Sequence, residues 1–125
     1  MILDTNALSA FFEGSPALGA ALERTARLFL PVIVLGEYRF GLARSKKRRL
    51  IEPALDALEQ AATVLSVEAE TVRPYAEIRE RLRRAGTPIP SNDLWIAALA
   101  VQHRVPIMSR DAHFDQVEAI TRVGW

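Results

Sequence analysis

The sequence contains no cysteine. That excludes disulfides, thiolate metal centres and a cysteine nucleophile, and it fits a cytoplasmic protein. No apolar run reaches the roughly 18 residues that cross a bilayer, so no membrane span is expected. No basic stretch precedes an apolar one at the N-terminus, so no secretory signal is read there. An excess of either charge is also lacking: sixteen Lys and Arg face fifteen Asp and Glu, for a formal net charge of +1. Bulk charge therefore announces no nucleic-acid partner. Lysine is confined to Lys46 and Lys47. A Gly-x-Ser-x-Gly turn and a glycine-rich phosphate loop are both missing, which speaks against serine-hydrolase and P-loop chemistry.

What is present suits one domain. At 125 residues, half of them hydrophobic and a quarter charged, the chain is long enough for a real core. Strand and helix signals alternate. Met1–Asp4, Leu28–Leu30, Thr63–Val67 and Pro106–Met108 read as short strands, with Ala119–Val123 as a fifth. Helices are expected over Thr5–Phe12, from Pro16 to Ala26, over Val32–Arg44, Lys46–Ala62 and Glu68–Ala85, and from a Ser91 cap to His103. Pro53 is expected either to start a new helix or to kink the one it sits in. Strands separated by helices predict an α/β fold with a central, mainly parallel sheet flanked by helices.

Aspartate is scarce as well, and its placement is the main clue. Of five aspartates, Asp4 ends the apolar opening Met1-Ile2-Leu3. Asp93 opens the apolar segment Leu94–Val101. Asp111 follows Val105–Arg110, and Asp115 lies four residues on. Glu37 sits within the apolar run Val32–Phe40. Burying a carboxylate costs several kcal/mol unless it is paired. Each acid alone has an ordinary explanation: Asp4 and Asp111 as helix caps, Asp93 as a first-turn acid favoured by the helix dipole, Glu37 as an exposed or arginine-paired residue. Together they recur at the mouths of elements in one sheet layer, where the carboxyl ends of strands form ligand sites. Carboxylates gathered within ~4–6 Å repel one another. A divalent cation relieves that repulsion and suits phosphate chemistry.

Basic residues cluster at Arg44–Arg49 and at Arg79, Arg81, Arg83 and Arg84. Solvated helix faces are the plain reading, and a phosphate-backbone footprint the sharper one. His103 suits the C-terminal dipole of its helix. His113, two residues after Asp111, has a transition-metal role as its minority reading and is not counted among the site residues.

Four segments carry a resemblance: Met1-Ile2-Leu3-Asp4-Thr5-Asn6, Val34-Leu35-Gly36-Glu37, Asn92-Asp93-Leu94-Trp95-Ile96-Ala97-Ala98, and Ser109-Arg110-Asp111-Ala112-His113-Phe114. In this order and at these separations the whole chain resembles the PIN domain family, and within it the VapC-type ribonuclease toxins of prokaryotic toxin–antitoxin pairs. The resemblance implies a single PIN-like α/β domain over residues 1–125 and endonuclease activity on RNA that depends on Mg²⁺, or alternatively Mn²⁺. Carried over by position, Asp4, Glu37, Asp93 and Asp111 match the family's acidic quartet. Asp4 and Asp93 stand as direct metal ligands, and Glu37 and Asp111 act through water or on a second ion. Asn6, Ser109 and Asp115 match supporting polar positions. A small cognate antitoxin protein and a homodimer are also implied. The rivals are a housekeeping RNA-processing nuclease of the same family, a domain phosphorylated on Asp4, and a non-catalytic binding module on the same fold. The intact quartet counts against the last, and the lack of a lysine near the late strands against the phosphorylated domain.

Overall fold

Five strands, none longer than three residues, carry the fold. The computed structural model describes all residues from 1 to 125. In chain order the elements are β1 (Ile2–Leu3), α1 (Thr5–Phe12), α2 (Pro16–Leu22), β2 (Phe29–Pro31), α3 (Val32–Leu42), α4 (Arg48–Ala61), β3 (Thr63–Leu65), α5 (Ala69–Ala85), α6 (Ser91–His103), β4 (Ile107–Met108), a 3-10 turn at Ala112–Gln116, and β5 (Arg122–Val123). The strands form one sheet in the order β3-β2-β1-β4-β5. Every pairing is parallel. This is the architecture the alternating pattern predicts.

The central strands are buried on both faces, as parallel strands flanked by helices must be. Ile2, Leu3 and Ile107 are fully inaccessible and Met108 nearly so. Around them pack Leu8, Leu18, Leu30, Leu55, Ile96 and Leu99. Helix α6 is the most buried helix, with Leu94 and every residue from Ile96 to Ala100 in the interior. Its apolar sequence is thereby explained without invoking a membrane, and no helix is long and apolar enough to cross one.

Strand order fixes where a ligand site belongs. The chain steps from β1 outward to β2 and β3, then returns to β4 on the other side of β1. The reversal falls between β1 and β4, and a crevice opens beyond the carboxyl ends of strands at such a point. Ile2 pairs with Ile107 and Leu3 with Met108. The next residues, Asp4 and Ser109, therefore leave the sheet side by side.

Several expected boundaries shift for physical reasons. Strand β3 stops at Leu65 and not Val67, because its partner β2 ends at Pro31, opposite Leu65. Strand β5 shrinks to Arg122–Val123 because β4 offers only two residues to pair with. Helix α2 ends at Leu22, where a turn from the Leu22 carbonyl to the Thr25 amide takes over, and α3 ends at Leu42, followed by a like turn to Ser45. Helix α4 starts at Arg48 and runs unbroken through Pro53, so Pro53 starts no new helix. Ser91 is not the cap of α6. Pro90 holds that position, without a side-chain hydrogen bond, and Ser91 is the first helical residue. Gly86, at φ 71°, ends α5.

Candidate active site

Asp4 follows directly from β1 and caps α1. Its Oδ1 accepts from the Ala7 amide at 2.9 Å. Its Oδ2 accepts from the Ser109 hydroxyl and from Asn6 Nδ2 at 2.9 Å. The residue is only 4% exposed. Burial pushes its pKa up to about 6. The bonds from Ser109 and Ala7 oppose the rise, and the nearby Asp111 and Asp93 reinforce it. The capping role and the site role are thus filled by the same side chain, one oxygen serving α1 and the other facing Ser109.

Ser109, fully buried at the end of β4, is the hub. Besides donating to Asp4, its Oγ accepts from the Asp111 amide at 2.9 Å and from Asn6 Nδ2 at 3.3 Å. Asn6 is locked from its other end, where Oδ1 accepts from the Arg110 amide at 3.1 Å. The loop after β4 is therefore tied to the start of α1 across the switch point.

Asp93 enters from the first turn of α6. Burial raises its pKa, the hydrogen bond with His113 lowers it, and Asp111 raises it again. Glu37, half-buried on α3, is raised by burial and by Asp93, with Asn92 pulling the other way. Asp111 caps the 3-10 turn by accepting from the His113 amide at 2.9 Å. The quartet is thus electrostatically continuous: Asp4 feels Asp93 and Asp111, and Asp93 is felt by Glu37.

Two placements differ from the sequence reading. Asp115 is exposed and grips Arg122 with both oxygens, at 2.7 and 2.8 Å. Arg122 also donates to the Ser109 carbonyl at 3.0 Å. Asp115 therefore reaches the site only through Arg122. His113, left out of the sequence-based site, stands inside it, with Nδ1 3.1 Å from Asp93 Oδ2 and from Asp111 Oδ1. Its spacing of two from Asp111 was the only available signal. Asn92, one residue before Asp93, was likewise not singled out as a partner for Glu37.

The basic clusters separate. On α5, Arg83 and Arg84 both pair with Glu80 and Arg79 bonds the Tyr75 hydroxyl, which matches a solvated helix face. Lys46 and Lys47, by contrast, line a groove of about 490 Å³ that also touches Thr5, Glu37 and Tyr38. That groove runs from beside the acidic pocket to positive charge.

The donor set fits a divalent cation. Oxygens of Asp93 and Asp111 and a nitrogen of His113 lie within 4.8 Å of one another. Asp4 beside them is held in an environment that disfavours its charge unless a cation is near.

Fold and pocket together define a class: a small parallel α/β domain whose carboxylates converge where the strand order reverses. The chain belongs to the PIN domain family, whose model matches residues 1–120. It is 28% identical over 124 residues to ribonuclease VapC5 of Mycobacterium tuberculosis, covering 98% of this chain and 90% of that protein. It is 30% identical over 121 residues to VapC ribonuclease Y4jK of Sinorhizobium fredii, covering 89% and 86%. Among solved structures it superposes on VapBC-5 of Mycobacterium tuberculosis, a member of the VapBC family of toxin–antitoxin systems. The TM-score there is 0.79 at 27% identity, over 99% of this chain and 97% of the other.

Proposed function

We propose that this protein is a metal-dependent endoribonuclease, the toxin half of a toxin–antitoxin pair, acting on RNA phosphodiester bonds in the cytoplasm. The observation that carries the reading is the buried Asp4. A carboxylate raised to about 6 and surrounded by further acids is costly to keep, and cation binding is the function that compensates it. The names of the curated relatives supply the substrate class, and the VapBC-5 assembly supplies the partner class, a small cognate antitoxin. A homodimer is part of the same reading, as is assignment of the whole of residues 1–125 to one nuclease domain.

Asp4 and Asp93 would hold the cation, with Glu37 and Asp111 acting through water or on a second ion; Mg²⁺ is the first assignment and Mn²⁺ the alternative. Bound there, the ion would help deprotonate an attacking water and stabilise charge on the leaving oxygen. The protein's own part is positioning. Ser109, Asn6 and the Ala7 amide hold Asp4 in one orientation. Asp111 is fixed by its bond to the Ser109 hydroxyl. Arg122 is committed to Asp115 and the Ser109 carbonyl, and Arg110 lies over the Trp125 ring. Phosphate neutralisation would therefore fall to Lys46 and Lys47 along the groove rather than to those arginines.

The test is cleavage of single-stranded RNA by purified protein in Mg²⁺ or Mn²⁺. Asp93→Asn and Glu37→Gln should lose most of the activity while keeping the circular dichroism spectrum of the wild type. Full activity in both variants, or in EDTA, would refute the reading. Co-purification with the product of a neighbouring reading frame separates a toxin from a housekeeping nuclease.

A further inference from the structure

Arg122 grips the peptide that carries the hub of the pocket. Asp115 aligns its guanidinium, one carboxylate oxygen accepting from Nε at 2.7 Å and the other from Nη2 at 2.8 Å. A planar guanidinium held along one edge has its third nitrogen fixed as well. That nitrogen, Nη1, donates to the Ser109 carbonyl at 3.0 Å. The other polar group of the Ser109 backbone, its amide, donates to the Val123 carbonyl at 2.9 Å. Strand β5 consists of Arg122 and Val123 alone, and both residues hold Ser109.

Ser109 needs that hold because it lies one residue beyond β4. Its carbonyl is taken by a side chain and not by a further strand residue. Its buried hydroxyl must meet Asp4, the Asp111 amide and Asn6 together. A hydroxyl serving three groups tolerates little rotation of its own peptide. Arg122 itself makes no hydrogen bond to the quartet and does not line the groove at Lys46 and Lys47. We propose that Arg122 is a positioning residue for RNA cleavage that acts through Ser109. Oriented by Asp115, it fixes the Ser109 peptide so that the hydroxyl keeps Asp4 and the Asp111 loop in place. The inference rests on the nuclease reading and adds a residue outside the quartet.

The rival is a plain surface ion pair, which any cation at position 122 would preserve. Arg122→Lys keeps the charge and loses the fork. With single-stranded RNA at fixed Mg²⁺, kcat should fall about 10–100-fold, and KM should stay within about twofold because the groove is untouched. In a Ser109→Ala background the same change should lower kcat by less than about twofold, since the hydroxyl through which Arg122 acts is gone. Without metal or RNA, amide hydrogen exchange at Asp111 should quicken about tenfold in Arg122→Lys while the amides of α6 keep their protection. Asp115→Asn, which removes the aligning charge and keeps the shape, should give the same pattern to a smaller degree, and it decides should Arg122→Lys fold poorly. Wild-type kcat in both variants, a raised KM at unchanged kcat, additive losses in the double variant, or exchange that quickens throughout the domain overturns this inference and leaves the nuclease reading standing. A wild type that cleaves no RNA overturns both.

Discussion

Replacing Asp4 with Asn should inactivate the protein and, without metal, make it more stable. In the folded chain Asp4 ionises near pH 6, against an ordinary value of 3.8. Between those values the folded state holds a proton the unfolded state has lost. Stability of the metal-free wild type therefore falls as pH rises from about 4 to about 6, and the penalty is complete above that. A shift of about two units corresponds to roughly 3 kcal/mol. Asn cannot ionise. Its Oδ1 can still accept from the Ala7 amide, but its Nδ2 faces a Ser109 oxygen that already accepts from the Asp111 amide and Asn6. Asn6 loses Asp4 as an acceptor and keeps only the Ser109 hydroxyl at 3.3 Å, and the lost bonds together cost about 1 kcal/mol. The net gain at pH 7.5 is about 2 kcal/mol, or roughly 8 °C in melting temperature for a domain of this size. The assay is thermal unfolding in EDTA at pH 4 to 8. Comparing the two proteins cancels the opposite pH trend of Asp115, whose pKa Arg122 lowers. The gain should vanish at about pH 4.5 and turn into a loss of up to about 1 kcal/mol below it. Added Mn²⁺ should close the gap at pH 7.5, since a ligand of the folded state stabilises only the protein able to bind it. A variant no more stable than wild type at pH 7.5 would refute the electrostatic account of Asp4.

Other expectations separate site from scaffold. Ser109→Ala removes the donor that lowers the Asp4 pKa, leaves the Asp111 amide without an acceptor and leaves Asn6 Nδ2 with Asp4 alone. It should cost about 1–3 kcal/mol by denaturant titration, move the Asp4 titration upward by NMR, and reduce cleavage. Thr71→Val is the contrasting control. Thr71 is fully buried, accepts from the Glu68 amide and donates to Gln102. Its loss should cost a similar amount at this remote junction of α5 and α6 while RNA cleavage per folded molecule stays unchanged. Equal loss of cleavage in Thr71→Val would mean that the pocket is not the separable unit described above.

Much of this was readable in the residues. The alternation of strands and helices gave the parallel sheet, and Asp4 was legible because it directly follows an apolar stretch that has to be a strand, Asp111 because it lies in the short loop after another. Asp93 and Glu37 were legible as acids in otherwise apolar segments. What escaped was decided by side-chain direction, not by period. His113 stays half-exposed yet reaches Asp93, because the 3-10 turn capped by Asp111 aims it at α6. Asp115, on that same turn, is drawn off by Arg122, an arginine whose approach depends on β5 lying beside β4. Ser109 was read as one supporting polar group, and its three hydrogen bonds arise only once the β1–β4 register sets it beside Asp4. Strand lengths were overestimated because each partner strand, not the apolar run itself, sets where pairing stops.

The claim on which the rest depends is that carboxylates from β1, α3, α6 and the loop after β4 make one cation site. Anomalous diffraction from a crystal soaked in Mn²⁺ tests it directly. A manganese peak in contact with the carboxylates of Asp4 or Asp93, and lost in Asp93→Asn, is the predicted result. A well-diffracting wild-type crystal with no peak in this pocket, or with manganese bound only elsewhere, would contradict it.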